Sequence, residues 1–402
     1  MHIAIVCDYF LDFVGGAQTS IREQKLALEE AGHEVTLVTT RRGRGGPTVQ
    51  RQASGLLLKT VYTLPGVDLP VVHADDRTIG MLAEYFREER VDVVHVQTEF
   101  GLAHASAAAA ERLGIPVVHT VHTFYWASDS PFTAPLTPVM RIALWLATRR
   151  SLPRLRLTRR PEDNILRNLT LDMAMRADAV VSPSQHQARD LESAGVPAPV
   201  LVVPNPIATS PRPAVPLSGA QAEHPRFLWV ARCESVKRPL VFAQAAIAAL
   251  ARTGNGFSVD FVGDGNELGA LRKLVAGHPQ LRVHGALPHS RVLDLMDESA
   301  AVVLSSLGFD NQPMTIAEAV SRERGVLYCD PKLREGLTDS GFLSASPDVD
   351  GLTDALVELV SNPSLLLGLS SGAAAEKVEF SPVRYVERIV EVYRTAHQSA
   401  DR

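Results

Sequence analysis

Phe227-Leu228-Trp229-Val230-Ala231-Arg232-Cys233-Glu234-Ser235-Val236-Lys237-Arg238-Pro239 joins an apolar run to a polar turn and then to a helix start. The run 227–231 reads as a strand buried on both faces, and proline is accommodated in the first turn of a helix. Similar apolar runs follow at 258–262, 281–284, 301–304 and 325–328, with helical stretches between them. Before it, runs at 3–7, 34–39, 91–96, 116–120, 179–182 and 200–203 alternate with alanine-rich or charged helical stretches. Each series predicts a doubly wound parallel sheet. Between the two series, residues 204–225 carry Pro206, Pro211, Pro213 and Pro216 with few large apolar side chains, which predicts irregular backbone. The expected organisation is a Rossmann-like domain over 1–208, a linker over 209–225, and a second Rossmann-like domain over 226–384, the two facing a cleft.

Length agrees, since 402 residues exceed one comfortable hydrophobic core. Apolar residues make up 46% and charged residues 21%, as in globular proteins, and a formal charge of −5 gives no basic signature for nucleic acid. Cys7, Cys233 and Cys329 lack metal-ligand spacing and lie in or beside apolar runs, so they read as reduced thiols packed as small hydrophobes. The N-terminus lacks the basic start and long apolar stretch of a signal peptide, and a cytoplasmic location is expected.

Ligands of open α/β sheets bind beyond the carboxyl ends of the strands. After 231 stand Arg232 and Lys237, either a solvated basic turn or a diphosphate site in which Arg forks onto phosphate oxygens and Lys adds a point charge. After 304 comes Ser305-Ser306-Leu307-Gly308-Phe309-Asp310-Asn311-Gln312-Pro313-Met314-Thr315-Ile316-Ala317-Glu318. Pro313 reads as the first residue of a helix whose N–H groups suit a phosphate, with Asp310 as a candidate cap. Glu318, between Ala317 and Ala319 in an apolar stretch, needs a partner.

These motifs make the chain resemble the retaining GT-B glycosyltransferases of family 4, which include phosphatidylinositol mannosyltransferases and diacylglycerol glucosyltransferases. The resemblance runs nearly end to end. Asp310 and Glu318 match the family's two acidic residues separated by seven others, with Asp where Glu is usual, and Arg232 and Lys237 match its diphosphate pair. The resemblance implies that Asp310 bonds sugar hydroxyls, that Glu318 bonds the ribose hydroxyls, and that backbone around Gln312, Pro313, Met314 and Thr315 meets sugar and phosphate. Pro313 stands where the family often has Gly. Asp12-Phe13-Val14-Gly15-Gly16-Ala17-Gln18 resembles the first loop, with Gly15 and Gly16 approaching the donor, and His122 matches the histidine beside the donor sugar. Gly263-Asp264-Gly265 resembles a family turn whose simplest job is chain reversal, and 283–285 would lie near the base. Residues 382–397 read as a C-terminal helix, and the resemblance implies that 385–402 crosses back onto the first domain, with hinge closure near the linker.

From Ser130 to Pro161 there is no acidic residue, yet Arg141, Arg149, Arg150, Arg154, Arg156, Arg159 and Arg160 are present, most of them behind the apolar residues between Leu136 and Leu146. Either an internal helix with a solvated basic end or an element lying in an anionic membrane interface has this pattern. Gln97-Thr98-Glu99-Phe100-Gly101 and His122-Thr123-Phe124-Tyr125 resemble segments of the glycolipid-forming members. That implies an acceptor or membrane side carrying Gln18, Glu99, Tyr125, Arg149, Arg150, Arg154 and Arg156, and peripheral attachment to the inner face of the cell membrane.

The implied activity is transfer of a mannose- or glucose-type hexose from a nucleotide diphosphate sugar (such as GDP-mannose or UDP-glucose) to a lipid or glycan hydroxyl. Retention of configuration is implied, with no cofactor and no metal. A nucleotide-sugar 2-epimerase and a non-catalytic nucleotide-sugar-binding protein are the alternatives.

Overall fold

The computed structural model describes residues 1–11, 15–42, 49–64, 69–125, 137–197, 199–207 and 212–400. Residues 12–14 of the first loop, residues 130–136 of the arginine-rich segment, and 209–211 at the start of the expected linker lie outside the described residues. The chain forms two units, Met1–Ala208 with Pro382–Arg402, and Thr209–Ser381.

The first unit holds β1 (His2–Cys7), β2 (Glu34–Arg41), β3 (Val49–Gln52), β4 (Gly55–Lys59), the hairpin β5 (Tyr62–Leu64) and β6 (Leu69–Val71), β7 (Val93–Val96), β8 (Val117–Thr120), β9 (Ala179–Ser182) and β10 (Leu201–Val202). Its main sheet has the order β10-β9-β8-β7-β1-β2-β4-β3, parallel except for the β3–β4 pair. The helices are α1 (Gly16–Glu30), α2 (Asp76–Glu88), α3 (Gly101–Leu113), α4 (Thr137–Thr148), α5 (Pro161–Ala174) and α6 (Gln185–Ser193). Alternation along β1 explains why every residue in it is apolar or buried: Ala4 and Val6 pack with Leu82, Phe86 and Ala103, while Ile3 and Ile5 pack with Ile21 and Leu28 on the other face.

The second unit has β11 (Arg226–Val230), β12 (Ser258–Val262), β13 (Leu281–Gly285), β14 (Ala301–Leu304), β15 (Gly325–Tyr328) and β16 (Gly341–Leu343) in the all-parallel order β13-β12-β11-β14-β15-β16. Its helices are α7 (Gly219–Glu223), α8 (Pro239–Arg252), α9 (Leu268–Leu274), α10 (His289–Glu298), α11 (Met314–Ser321), α12 (Val349–Ser361) and α13 (Pro363–Glu376). Phe227, Trp229, Phe242 and Phe261 form the centre of its core.

The last helix, α14 (Pro382–Ala400), returns to the first unit and begins at the predicted Pro382. Tyr385, Ile389, Val392, Tyr393 and Ala396 form one apolar stripe against Ile3, Ile5 and Val118. Tyr393 Oη bonds His95 Nδ1 at 2.8 Å.

The expected irregular linker is corrected in two respects. Residues 218–221 form a capping box that starts α7, because Ser218 and Gln221 satisfy each other's backbone N–H groups. The stretch before it is strapped to the second unit: Arg322 donates to the carbonyls of Arg212 (2.8 Å) and Pro213 (3.0 Å), and Arg324 to that of Val215 (2.7 Å). Prolines free the carbonyls from ladder partners, and the buried guanidinium groups of the α11–β15 corner take them up.

Candidate functional site

In the second sheet the chain runs outward from β11 to β12 and β13, then crosses to β14 on the other side of β11. Adjacent strands whose connections leave in opposite directions open a crevice at their carboxyl ends. The loops after β11 and β14 are the two that carry Arg232, Lys237 and Asp310.

Ser305 ties these loops together. Its hydroxyl accepts from Trp229 Nε1 at 2.9 Å and donates to the Lys237 carbonyl at 2.7 Å. Arg238, in the left-handed region at φ 54°, turns the chain from the 3-10 turn Ser235–Lys237 into α8 and donates to the Ser305 carbonyl at 3.1 Å. The turn aims Lys237 Nζ at the Asp310 carboxylate, whose other oxygen accepts from Ser306 Oγ. The Phe309 ring lies 5.2 Å from the ammonium. A cation and an anion from separate loops thus meet in a half-covered site. Arg232 is not part of this pair: its exposed guanidinium turns to Glu234 at 2.8 Å, a carboxylate two residues along.

The Gly263–Gly265 turn does more than reverse the chain. Gly263 and Gly265 have φ values of 138° and 156°, and a Cβ at either would strike the carbonyl of Ala231 or Cys233. Without side chains the turn closes on the Arg232 loop, with Cys233 N donating to Asp264 O and Glu267 N to Cys233 O, both at 2.9 Å.

Two details of the α11 entry differ from expectation. Pro313 is the N-cap at φ −63° and ψ 120°, and Met314 is the first helical residue. A ψ in the extended range keeps Pro313 outside the helix. The N-cap position belongs to Pro313 and not to Asp310, whose carboxylate is held by Lys237 and Ser306. Gln312, Pro313, Met314 and Thr315 are half-buried at its mouth.

Glu318 has its partner in His289, the first residue of α10, with Nε2 at 2.9 Å from Oε1. Asp330, just past β15, accepts from Gly308 N at 2.6 Å and Lys332 N at 3.0 Å, fixing the start of the Asp310 loop. The sequence reading passed over both residues. A carboxylate directly behind an apolar strand was the available signal for Asp330, whereas nothing local marks His289. His284 bonds the buried Asp260 at 2.7 Å.

The first unit treats its equivalent position differently. Asp8, at the end of β1, accepts from the N–H groups of Leu102 (2.7 Å) and Ala103 (3.2 Å) and from Thr98 Oγ1 (2.7 Å), so its carboxylate occupies the start of α3. Burial pushes its pKa up to about 6, against the pull of those donors. Gly15 and Gly16 sit at the start of α1, with Gln18 half-buried beside Gly15. His122, past β8, bonds Gln97 Oε1 at 2.6 Å, and burial lowers its pKa to about 4, which keeps it neutral. Glu99 is buried and accepts from Thr170 at 2.9 Å, and the buried Tyr125 donates to Asp190 at 2.7 Å, so both hold the interior together as they stand.

The arginine-rich segment splits. Leu144 and Ala147 bury one face of α4, while Val139, Ile142, Trp145 and Leu146 on the other face are exposed. Arg149, Arg154 and Arg156 are exposed, but Arg150 is corrected: it forms a two-point ion pair with buried Asp172, at 2.6 and 3.2 Å. Among the described residues no single helix is long and apolar enough to cross a membrane.

Comparison with known proteins fits this geometry. Residues 14–211 match the model of Glycosyltransferase Family 4, and residues 224–362 that of Glycosyl transferases group 1. The chain belongs to the family 4 glycosyltransferases. It is 31% identical over 125 residues to alpha-monoglucosyldiacylglycerol synthase of Streptococcus pneumoniae, covering 31% of this chain and 27% of that protein. It is also 31% identical over 126 residues to the GDP-mannose-dependent alpha-mannosyltransferase of Mycolicibacterium smegmatis, covering 31% and 32% of the two chains. These matches span about a third or less of the curated relatives. D-inositol 3-phosphate glycosyltransferase of Thermobispora bispora is 25% identical across 96% of this chain and 91% of its own. Among solved structures, sucrose-phosphate synthase from Thermosynechococcus elongatus superposes with a TM-score of 0.68 at 15% identity, covering 98% of both chains. Anabaena HepE, solved with UDP, gives 0.67 at 15% identity, covering 98% of this chain and 100% of its own. The family 4 chain therefore has the GT-B fold, with two parallel-sheet α/β units.

Proposed function

We propose that this family 4 chain is a retaining hexosyltransferase that moves a mannose- or glucose-type sugar from a nucleoside diphosphate donor to a hydroxyl of a membrane glycolipid or cell-envelope glycan. The observation that carries this reading is the convergence of Lys237 and Asp310 at the reversal point of the second sheet, beside the start of α11. Lys237 and Arg232 serve the diphosphate, the backbone of Gln312, Pro313, Met314 and Thr315 serves phosphate and sugar, Asp310 serves the sugar hydroxyls and Glu318 the ribose. In the first unit, Gly15 and Gly16 serve the donor, and His122 offers an uncharged polar contact to the sugar.

In the proposed step the bond from the anomeric carbon to the phosphate oxygen breaks while the acceptor oxygen bonds the same sugar face. The acceptor proton passes to the departing phosphate. Lys237 stabilises the charge that develops there, so most of the rate enhancement is electrostatic and positional, and no metal is required.

The outer face of α4 supports an anionic membrane surface as a partner. Val139 and Ile142 are 63% and 59% exposed, Trp145 is half-exposed, and Arg149, Arg154 and Arg156 follow. Similarity to the alpha-monoglucosyldiacylglycerol synthases of Streptococcus pneumoniae and Acholeplasma laidlawii agrees with a lipid acceptor. A thermal-shift panel of nucleotide sugars tests the donor reading, because a ligand bound by the folded state raises the unfolding temperature. A selective shift with one donor is expected; no shift with any donor counts against it.

A further inference from the structure

Glu318 sits on the second turn of α11 between Ala317 and Ala319, so nothing beside it in sequence holds its three side-chain torsions. Only 13% of its side chain is exposed, and it is met there by His289 from α10, itself 65% exposed, at 2.9 Å. A surface histidine thus bonds a largely covered carboxylate across two helices. Such a bond selects one orientation of a flexible side chain and lowers the entropy that a ligand would otherwise have to remove. A carboxylate has about four acceptor positions, and the bond from His289 uses one of them. The remainder suit two neighbouring hydroxyl groups.

Resting on the assignment of Glu318 to the ribose, we infer that His289 is a positioning residue that fixes the Glu318 carboxylate to receive the vicinal hydroxyls of a ribonucleotide, making ribose recognition depend on α10. The histidine does not touch the reacting atoms. Its contribution is confined to discrimination between a ribose and a deoxyribose.

The experiment uses the full chain and titrates UDP and GDP, together with their 2′-deoxy counterparts, by calorimetry. For the wild-type chain, the better-bound base should favour ribose by about tenfold or more, the loss expected when a carboxylate loses a hydroxyl partner. His289→Ala should weaken the ribonucleotide by about fivefold or more and the deoxynucleotide, which offers Glu318 only its 3′ hydroxyl, by clearly less, so that the ratio falls. His289→Gln, which keeps an N–H donor, should restore most of the ratio. A merely structural histidine would move both affinities together. An unchanged ribose-to-deoxyribose ratio in His289→Ala overturns the inference while leaving the donor site intact. Absence of binding by either ribonucleotide to the wild-type chain overturns the donor reading itself, and this inference with it.

Discussion

The Lys237 ammonium and the Asp310 carboxylate bond each other although they stand on different loops, after β11 and after β14. A diphosphate would compete for the lysine, and sugar hydroxyls for the aspartate. Lys237→Ala should lower turnover about 100-fold or more, as loss of one preorganised charge does. Thermal unfolding should move far less, because Asp310 keeps Ser306. Steady-state kinetics and calorimetric unfolding of the same preparation check this, and near-normal turnover sinks the assignment.

Glycine content separates backbone need from ligand need. Gly263→Ala should destabilise the second unit by about 2 kcal/mol or more, since the new Cβ strikes the Ala231 carbonyl at a positive φ. A Cβ at Gly16 meets nothing within 4 Å. Gly16→Ala should therefore unfold at the wild-type temperature yet use the donor poorly. Equal loss of stability in both variants would contradict this.

Arg324 is wholly buried and donates to the carbonyls of Val215 and Asp297 at 2.7 Å, and of Arg322, Glu323 and Met296 at 3.0 to 3.1 Å. Arg324→Met should cost about 3 to 5 kcal/mol in urea unfolding, because several buried carbonyls lose their donor together. It should also expose residues 212–217 to protease. Arg324→Lys should recover little, since an ammonium lacks the planar spread of donors.

Acid should weaken the first unit. Burial holds His95 and His119 down to about 3, whereas an unfolded histidine titrates near 6.5, so the unfolded chain takes up protons that the folded chain refuses. Their stability is complete above the unfolded value and is lost as pH falls from there towards the folded value. At about pH 5 this amounts to about 2 kcal/mol for each, offset by about 1 kcal/mol from Asp8, whose raised pKa works in the opposite sense. Urea midpoints measured between about pH 7 and pH 5 should fall with pH; a flat or rising profile contradicts this.

Membrane attachment should depend on α4. Trp145→Ala combined with Arg149→Ala, Arg154→Ala and Arg156→Ala should lose most sedimentation with anionic vesicles, while Arg150→Ala should mainly cost stability through Asp172. Wild-type protein that ignores such vesicles would remove the membrane from the account.

Most of the buried strands were legible because strands covered on both faces leave continuous apolar runs, as at 3–7 and 301–304. β3 was not, since Val49–Gln52 is polar and lies at the sheet edge. Lys237, Asp310 and Glu318 were singled out through the resemblance to family 4. Their partners were not: His289 reaches Glu318 from a different helix, Ser305 pins the Lys237 turn through its hydroxyl, and Asp8 caps a helix begun by Gly101. Each of those contacts depends on how strands and helices pack, which no short stretch of chain encodes. The direction of Arg232 likewise followed from the neighbouring Glu234 rather than from the motif.

The most direct test of sugar transfer is product analysis with the donor that gives the largest thermal shift, radiolabelled in its hexose and incubated with the protein and a lipid extract. The account predicts free nucleoside diphosphate together with label in a lipid or glycan product of retained anomeric configuration, both lost in Lys237→Ala. Label recovered only in an isomerised nucleotide sugar, or donor bound without turnover under every acceptor, would contradict it.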